Sequence, residues 1–332
     1  MQIRNPQSTI RNRMVDGVVI IDKPAGWTSH DVVARVRRVL SERKVGHTGT
    51  LDPFATGVLV VLVGRATRLA QFVSGAEKEY EGVIRFGYAT ETGDSTGKPR
   101  PVLQAGGSVE EYSMTWGDHE IELALGGLRG QIEQVPPMYS AKKLKGRKLY
   151  ELARRGEEVE RAPVTVHIRE LEAVRVDGAL LRRNEDATCD LSVRVVCSAG
   201  TYIRALAESI GERLGVPAHL AALRRTRAGH FKIEDATRLD ELSEMVAEST
   251  ETGVLLPPDA ALSELPFVHL TMEEARRTCH GMTLHVEPSV GAAYLDGEHV
   301  RMLDESGRLL AVGVYDARAG GLHPRAVLSP EK

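Results

Sequence analysis

The sequence predicts an α+β protein in which a large mixed domain precedes a small all-β domain. The apolar run at residues 58–63 and the alternating segment at residues 191–197 are typical of strands. Apolar residues at helical spacing follow Thr28 and Thr201, which indicates amphipathic helices between the strands. From His269 onward, short runs alternate with glycine and aspartate turns, and this pattern favours a small all-β unit.

The first predicted elements are a strand at residues 18–21 and a helix that begins after Thr28. Asp22, Lys23 and Pro24 follow this strand, and taken alone the Lys-Pro pair indicates an ordinary turn at the end of a strand. The hydroxyl of Thr28 is suited to accept a hydrogen bond from the first turn of the helix. The opposite face of this helix is basic and carries Arg35, Arg37 and Arg38.

Asp52 lies in the glycine-rich loop GHTGTLDPFATG, directly before the apolar run. Because Pro53 follows it, Asp52 is biased towards extended geometry. Glycines at positions 46, 49 and 57 permit tight turns and the close approach of another molecule to the backbone. Enzymes often present reactive groups from such loops, but an aspartate before proline is also a common turn signal. The loop alone leaves both interpretations open.

Two later segments complete the large domain. The segment KEYEGVIRF alternates and predicts a strand whose polar start holds Tyr80 between two glutamates. Thr201 is placed to cap the helix after residues 191–197, and Gly215 is placed to end it. Arg204 then falls in the first helical turn, where the helix dipole disfavours a cation by about 0.3–1 kcal/mol. An arginine at this position is either solvated at the start of the helix or paired with a nearby anion, and the pattern alone leaves both open.

Length and composition indicate a globular protein of two domains. The chain has 332 residues, of which 42% are hydrophobic and 27% charged, and no apolar run is long enough to span a bilayer. Residues 1–15 contain arginines without an apolar core, which predicts a basic tail rather than a secretory signal. The three cysteines are too few and wrongly spaced for a disulfide framework or a zinc site, and the histidines near Cys279 complete no ligand set. We therefore expect reduced thiols, a cytoplasmic protein and no metal.

Charge is segregated along a chain whose net charge is only −3. Residues 140–156 hold seven basic side chains and one acidic, whereas residues 231–275 hold eleven acidic and two basic. Such segregation creates a local positive field that the average hides. The basic stretch is either a solvated surface or a contact for phosphate groups. Its members include Lys142, Lys143, Lys145, Arg147 and Lys148.

Four segments, taken in chain order, resemble the TruB-type tRNA pseudouridine synthases. They are VIIDKPAGWTSHDVV, GHTGTLDPFATG, KEYEGVIRFGYATETGD and LSVRVVCSAGTYIRALAESIGERLG. The resemblance extends from Asp16 to the C-terminus and is strongest before Phe231. It implies the pseudouridine-synthase fold, with a central mixed and largely antiparallel sheet flanked by helices and loops. It also implies a PUA-like RNA-binding domain at the end of the chain.

The implied organisation is a tail at residues 1–15, a catalytic domain at 16–254, a linker at 255–268 and a PUA-like domain at 269–332. Residues 126–156 resemble the RNA-gripping thumb of the family, so we expect the basic stretch to contact RNA. The proline-bearing, acidic composition of the segment before the last domain favours a linker.

The resemblance also implies roles for individual residues. Asp52 corresponds to the catalytic aspartate, and Arg204 to the arginine that pairs with it. Tyr80 corresponds to a tyrosine that faces the target base, and His47 to the loop residue that fills the space left by the flipped base. The remaining expectations are Tyr202 beside the ion pair, Leu223 lining the base pocket, Lys23 bordering the site, Arg224 near backbone phosphates, and the RNA-binding thumb cluster Lys142, Lys143, Lys145, Arg147 and Lys148.

The implied reaction is the isomerisation of uridine 55 in the T-loop of tRNA to pseudouridine. It needs no redox change, group donor or metal, which suits a chain without a dinucleotide fingerprint or a Walker loop. Asp52 would either attack C1′ of the ribose or take a proton from C2′, and the sequence leaves both routes open. We expect the T-arm of tRNA as partner, no cofactor, no membrane, no guide RNA or obligate protein partner, and a monomer.

Two other interpretations remain. A non-catalytic RNA-binding or RNA-remodelling protein on the same fold would depend on the cluster at residues 142–148 but not on Asp52. A guide-dependent synthase of the dyskerin type would resemble this chain around Asp52 but would lack the thumb. The thumb therefore favours a protein that recognises tRNA unaided.

Overall fold

The structure, a computed structural model, describes residues 16–100, 114–140, 142–144, 146–153, 155–157, 159–248, 254–285 and 294–328. The predicted basic tail lies outside these ranges, as does Lys145 of the thumb cluster. Among the described residues, no helix is both long enough and apolar enough to cross a membrane.

The strands of the first part of the chain are β1 (Gly17–Lys23), β2 (Val45–Thr48), β3 (Thr56–Val63), β4 (Lys78–Phe86), β5 (Gly130–Gln134), β6 (Lys143–Leu144), β7 (Arg147–Lys148), β8 (Val164–Val174), β9 (Leu181–Arg183), β10 (Cys189–Cys197), β11 (Ala218–Ala228) and β12 (Phe231–Lys232). The later strands are β13 (Phe267–His269), β14 (Leu284–His285), β15 (His299–Leu303), β16 (Leu309–Asp316) and β17 (Gly321–Val327). The α-helices are α1 (Ser29–Leu40), α2 (Ala70–Val73), α3 (Asp118–Gly126), α4 (Leu149–Ala153), α5 (Ile203–Arg213), α6 (Leu239–Glu248) and α7 (Met272–Cys279). Short 3₁₀ helices lie at Gly64–Leu69, Ile233–Asp235 and Pro258–Leu262.

One large sheet contains all the strands from β1 to β12 except the β6–β7 hairpin. Its central order is β1–β3–β11–β4–β10–β8–β5, and β2, β9 and β12 pair with β3, β10 and β11, respectively. Its pairings are antiparallel except that between β3 and β11, which run parallel. The predicted α+β fold with a mixed, largely antiparallel sheet is therefore confirmed.

Strand β3 is buried on both faces, which explains its unbroken apolar sequence. Residues 58–63 have no exposed surface. On one face, alternate residues of the strand pack against Val36 of α1 and Leu242 of α6. On the other face, Val60 shares an apolar cluster with Val312 of β16. A strand covered on both sides needs apolar residues at every position.

Helix α1 begins as predicted, whereas the start of α5 differs. The Thr28 hydroxyl accepts a hydrogen bond from the Asp31 N–H (3.1 Å), and the Asp31 carboxylate accepts one from the Thr28 N–H (2.9 Å). Helix α5 begins after Tyr202, whose side chain makes no capping bond, so the predicted cap by Thr201 is wrong. The Thr201 hydroxyl instead donates to the Ser198 carbonyl, 2.9 Å away. The first turn of α5 still contains Arg204, as predicted.

A second sheet, ordered β13–β15–β16–β17–β14, forms the C-terminal part of the described chain. The segment at residues 255–268 lies between the two sheets in sequence and contacts both. Leu256 forms a β-bridge with Val18, and Leu262 is buried in one cluster with Leu309 of β16. The two sheets therefore pack together through shared apolar side chains. The division into domains at the positions given above stays a prediction.

Strands β3 and β11 approach closely at Gly57. This residue has a φ of 99°, and a Cβ added to it would lie 2.2 Å from the carbonyl oxygen of Arg225. The glycine therefore permits the close approach of β11 of the same chain, rather than that of another molecule.

We predict that Gly57→Ala destabilises the protein more than Gly178→Ala. The left-handed backbone conformation alone costs an alanine about 1–3 kcal/mol, and at Gly57 the overlap with β11 adds to this cost. Gly178 is the matched control because its φ is 81° and no atom lies within 4 Å of an added Cβ. Urea unfolding measures both free energies, and equal losses would contradict the close contact.

Candidate active site

One cleft, here called the Asp52 cleft, collects residues from neighbouring elements of the large sheet. It encloses about 270 Å³ and is lined by Asp52 from the loop before β3, Tyr80 from β4, Leu223 from β11 and Arg204 from α5. Strands β3, β11 and β4 are adjacent, and β10, which pairs with β4, leads into α5. The sheet order thus brings these residues together. Concave sites lined by apolar walls and a few polar groups are typical of ligand binding.

Asp52 and Arg204 form a two-point ion pair. Arg204 Nε lies 2.9 Å from Asp52 Oδ2, and Arg204 Nη2 lies 3.2 Å from Asp52 Oδ1. The Arg204 side chain is 5% exposed, whereas that of Asp52 is 33% exposed. Two parallel N–H···O bonds fix the plane of the carboxylate as well as its position. The anion that Arg204 requires in the first turn of α5 is therefore Asp52.

Arg204 also connects two further segments to this pair. Its Nη1 donates to the Thr92 carbonyl and its Nη2 to the Tyr139 carbonyl, each at 2.8 Å. The buried Asp94 carboxylate lies 3.5 Å from Nη1. One guanidinium therefore holds the loop after β4 and the Tyr139 segment of the thumb next to Asp52.

Burial gives Asp52 a carboxyl group of raised pKa. Removal from water raises the pKa above its ordinary value of 3.8, the Arg204 cation opposes the rise, and the Asp94 charge adds to it. A carboxylate of higher pKa is a stronger base and a stronger nucleophile than an exposed aspartate.

Backbone contacts on both sides hold the Asp52 loop in place. The buried Ser29 hydroxyl donates to the Leu51 carbonyl (3.2 Å) and accepts from the Leu51 N–H (2.9 Å). On the other side, the Pro53 carbonyl accepts a hydrogen bond from the Gly26 N–H, 2.8 Å away. The turn between β1 and α1 therefore positions the residues that flank the acid.

Lys23 braces the same loop from outside the cleft. Its fully buried ammonium donates to the carbonyls of Pro24 (2.9 Å), Trp27 (2.6 Å) and Pro53 (3.2 Å). Burial lowers the pKa of Lys23 to about 8, and the charge of Asp52 acts in the other direction. Lys23 therefore binds backbone carbonyls on both sides of the contact between the β1–α1 turn and the Asp52 loop, and its place at the border of the active site stays a prediction.

Tyr80 and Leu223 form a wall of the Asp52 cleft. Each is 8% exposed. Arg225, two residues after Leu223, is buried, and its charge favours the ionised form of the Tyr80 hydroxyl. The Arg225 guanidinium also donates to the carbonyls of Val58 (2.6 Å) and Gly49 (2.9 Å). Burial raises the pKa of Tyr80, so its hydroxyl remains protonated at neutral pH.

Tyr202 lines the cleft at the start of α5. Its backbone N–H donates to Gln134 Oε1 (2.9 Å), and its carbonyl accepts from Gln134 Nε2 (3.3 Å). Gln134 is buried at the end of β5. This pair of bonds ties the start of α5 to β5, the strand within the thumb segment.

His47 lies in strand β2 rather than in a loop, and among the described residues it does not line the Asp52 cleft. Its ring packs edge-on against that of His30, with the ring centroids 5.5 Å apart. Burial, together with the charges of His30 and Arg225, lowers the pKa of His47 to about 4. The imidazole is therefore neutral at neutral pH.

The basic thumb cluster reaches the cleft through Lys142, which is exposed and lines it. Lys143, Arg147 and Lys148 lie in the β6–β7 hairpin, where Lys143 pairs with Lys148 along the backbone. Arg147 is exposed. Lys145 lies outside the described residues.

Arg224 lies away from the Asp52 cleft and is already paired with a carboxylate. Its Nη2 and Nη1 donate to the two Asp22 oxygens at 2.8 and 3.1 Å. The side chain is 38% exposed. A phosphate at Arg224 would share the guanidinium with Asp22.

Ser29, Asp94, Gln134 and Arg225 belong to the site but were not predicted from the sequence. Alternation along β11 places Arg225 on the same face as Leu223, so the strand pattern held a signal for it. Ser29 and Gln134 bind backbone groups that are distant in sequence, and no local pattern marks such contacts.

Known proteins resemble this chain over most of its length. Residues 37–203 match the N-terminal domain of the TruB family pseudouridylate synthases, and residues 204–263 match the tRNA pseudouridylate synthase B C-terminal domain. The chain is 42% identical to tRNA pseudouridine synthase B of Geobacillus thermodenitrificans, covering 94% of this chain and 99% of the relative. It is 40% identical to the protein of the same name from Bacillus thuringiensis strain Al Hakam, covering 95% and 97%.

Solved structures give the same result. A chain in the crystal structure of a Cbf5–Nop10–Gar1 complex superposes with a TM-score of 0.70 at 26% identity, covering 98% of this chain and 91% of that one. A chain in an H/ACA RNP bound to a substrate RNA containing 2′-deoxyuridine superposes with a TM-score of 0.68 at 25% identity, covering 98% and 88%. The protein belongs to the TruB family of pseudouridylate synthases.

We predict that Ser29→Ala loosens the Asp52 loop. The change leaves a buried N–H and a buried carbonyl of Leu51 without their partner, which costs about 1–3 kcal/mol. Urea unfolding should show this loss, and hydrogen exchange at the Leu51 amide should become faster. Ser306→Ala is the control, because Ser306 is exposed and bonds only to Asp304. Unchanged exchange at Leu51 would show that Ser29 does not hold the loop.

Proposed function

We propose that this protein converts uridine 55 in the T-loop of tRNA into pseudouridine, as a cytoplasmic monomer that uses no guide RNA. The relatives described above are named tRNA pseudouridine synthase B, and the match covers 99% and 97% of their length. The observation that carries the proposal is the Asp52 carboxylate. It is fixed by two N–H groups of the buried Arg204 and opens into a cleft walled by Tyr80 and Leu223.

Conversion of uridine to pseudouridine is an isomerisation. The bond from N1 of uracil to ribose C1′ breaks, the base turns, and a bond from C5 to C1′ forms. The C5 proton leaves and N1 gains a proton, so the atoms balance. Asp52 acts either as the nucleophile at C1′ or as the base that removes the C2′ proton. Its raised pKa supports both roles, and Arg204 holds the reacting oxygens in one orientation.

The detached uracil has to stay in the site while it turns. Stacking on Tyr80 contributes on the order of 1–3 kcal/mol to its retention. Leu223 provides an apolar wall, and the protonated Tyr80 hydroxyl is a donor for the base or a relay for its proton. Both side chains lie on strands of the large sheet, which fixes their positions in the cleft.

The target uridine reaches the cleft only after it leaves the stack of the T-loop, at a cost of a few kcal/mol. We assign His47 to the space that the base leaves. Its depressed pKa supports this assignment, because a neutral imidazole inserts between bases without bringing a charge into an apolar stack.

The thumb and the second sheet provide the remaining RNA contacts. In this proposal Lys142, which lines the cleft, neutralises backbone phosphates of the T-arm together with the basic residues of the hairpin, Lys143, Arg147 and Lys148. The second sheet is assigned to a PUA-like domain that contacts tRNA outside the T-loop.

Guide-independent action is favoured over the guide-dependent alternative. The relatives at 40% and 42% identity are named for tRNA, whereas the chains from the H/ACA RNP and the Cbf5–Nop10–Gar1 complex are 25% and 26% identical. The basic thumb supports direct recognition of tRNA by this protein.

We predict that pure wild-type protein forms pseudouridine in an unmodified tRNA transcript with no other component, and that Asp52→Asn forms none. The asparagine removes the ionised oxygen but keeps the shape of the site, so the dissociation constant for tRNA should change less than about threefold. Asp118→Asn is the matched control, since Asp118 is exposed and pairs only with Arg175. Turnover by Asp52→Asn would contradict the catalytic role of Asp52. No turnover by the wild type would support a protein whose role is RNA binding, and a requirement for a second RNA would support the guide-dependent alternative.

A further inference from the structure

A second cleft, here called the arginine cleft, lies next to the Asp52 loop. Its lining includes Trp27 and four arginines, Arg35, Arg38, Arg224 and Arg238. Thr56, the first residue of β3, also lines it. The segment from Asp52 to Thr56 therefore connects the two clefts, since Asp52 lines the Asp52 cleft and Thr56 lines the arginine cleft.

Two of these arginines carry charges that no described carboxylate neutralises. Arg35 Nη2 donates to the neutral hydroxyl of Ser243 at 3.1 Å, and Arg38 is exposed on the same face of α1. Neither forms an ion pair with any of the described acids within 4.0 Å. The cleft is therefore cationic at its α1 wall.

The other two arginines are partly neutralised. Arg224 binds Asp22 at two points. Arg238 lies 3.6 Å from Asp240, and both side chains are about two-thirds exposed, so that pair is weak in water. The cleft as a whole keeps an excess of positive charge.

Trp27 supplies a flat apolar surface beside these cations. It is one of two tryptophans in the chain and is 39% exposed, although large apolar rings are usually buried. An aromatic ring next to guanidinium groups matches the repeating unit of a single RNA strand, which presents a base to stack and a phosphate to pair.

The backbone of Trp27 is tied to the Asp52 loop by one side chain. Lys23 Nζ donates both to the Trp27 carbonyl (2.6 Å) and to the Pro53 carbonyl (3.2 Å). An RNA strand stacked on Trp27 would therefore lie close to Pro53, the residue that follows Asp52. Its nucleotides would be neighbours of the nucleotide in the Asp52 cleft.

We infer that the arginine cleft holds the RNA strand that flanks the target nucleotide, with a base stacked on Trp27 and backbone phosphates on Arg35 and Arg38. The identity of the RNA rests on the proposed function. The cleft then fixes the register of the strand so that the target uridine meets Asp52.

Salt-dependent binding tests the phosphate contacts. The probe is an isolated T-arm stem-loop transcript, and Asp52→Asn is the background so that no turnover occurs. The double change Arg35→Gln/Arg38→Gln should reduce the slope of log K against log salt by about 1 to 2. Arg37→Gln is the matched control, because Arg37 lies on the same helix but donates to the Val45 carbonyl (2.7 Å) and does not line the cleft. It should keep the slope.

Trp27→Leu tests the stacking contact separately. It should weaken binding of the stem-loop roughly fivefold or more with an unchanged salt slope. An unchanged slope for the double arginine variant, or a change seen only with whole tRNA, would overturn the inference. Failure of the proposed function is recognised independently, since the wild-type protein would then form no pseudouridine in the same stem-loop. Thermal unfolding of each variant verifies that it is folded.

Discussion

The buried guanidinium of Arg204 is the contact on which the site depends. A cation that is 5% exposed requires partners, and its donors are used by Asp52, Thr92 and Tyr139. These partners come from three separate segments of the chain. Leaving such a charge unpaired costs about 3–5 kcal/mol. This cost opposes the separation of the Asp52 loop, the loop after β4 and the Tyr139 segment of the thumb from α5.

The same contact sets the chemistry of the acid. Burial raises the pKa of Asp52, and the Arg204 cation limits that rise. The large sheet makes this balance possible, since it holds a strand buried on both faces directly behind the loop. Ser29 and Gly26 then fix the backbone on either side of the acid. The acid is thus rigid in position while one face of it stays open to the cleft.

The sequence predicted the elements and the acid better than the contacts between them. The unbroken apolar run of β3 predicted a buried strand, and the helical spacing after Thr201 placed Arg204 in the first turn of α5. The structure confirms both. The Thr201 cap was wrong because the turn before α5 uses that hydroxyl for the Ser198 carbonyl. The role of Ser29 was not predictable, because it depends on a loop more than twenty residues away.

The pH dependence of kcat/KM in the wild type and in Arg204→Gln tests the central claim most directly, because kcat/KM reports ionisation in the free enzyme. Activity should fall as the pH falls through the pKa of Asp52, which lies above 3.8 in the wild type. Loss of the opposing cation should move this acidic limb to higher pH, whereas Arg175→Gln, at an exposed arginine, should leave it in place. An acidic limb at the same pH in Arg204→Gln and the wild type would contradict the account.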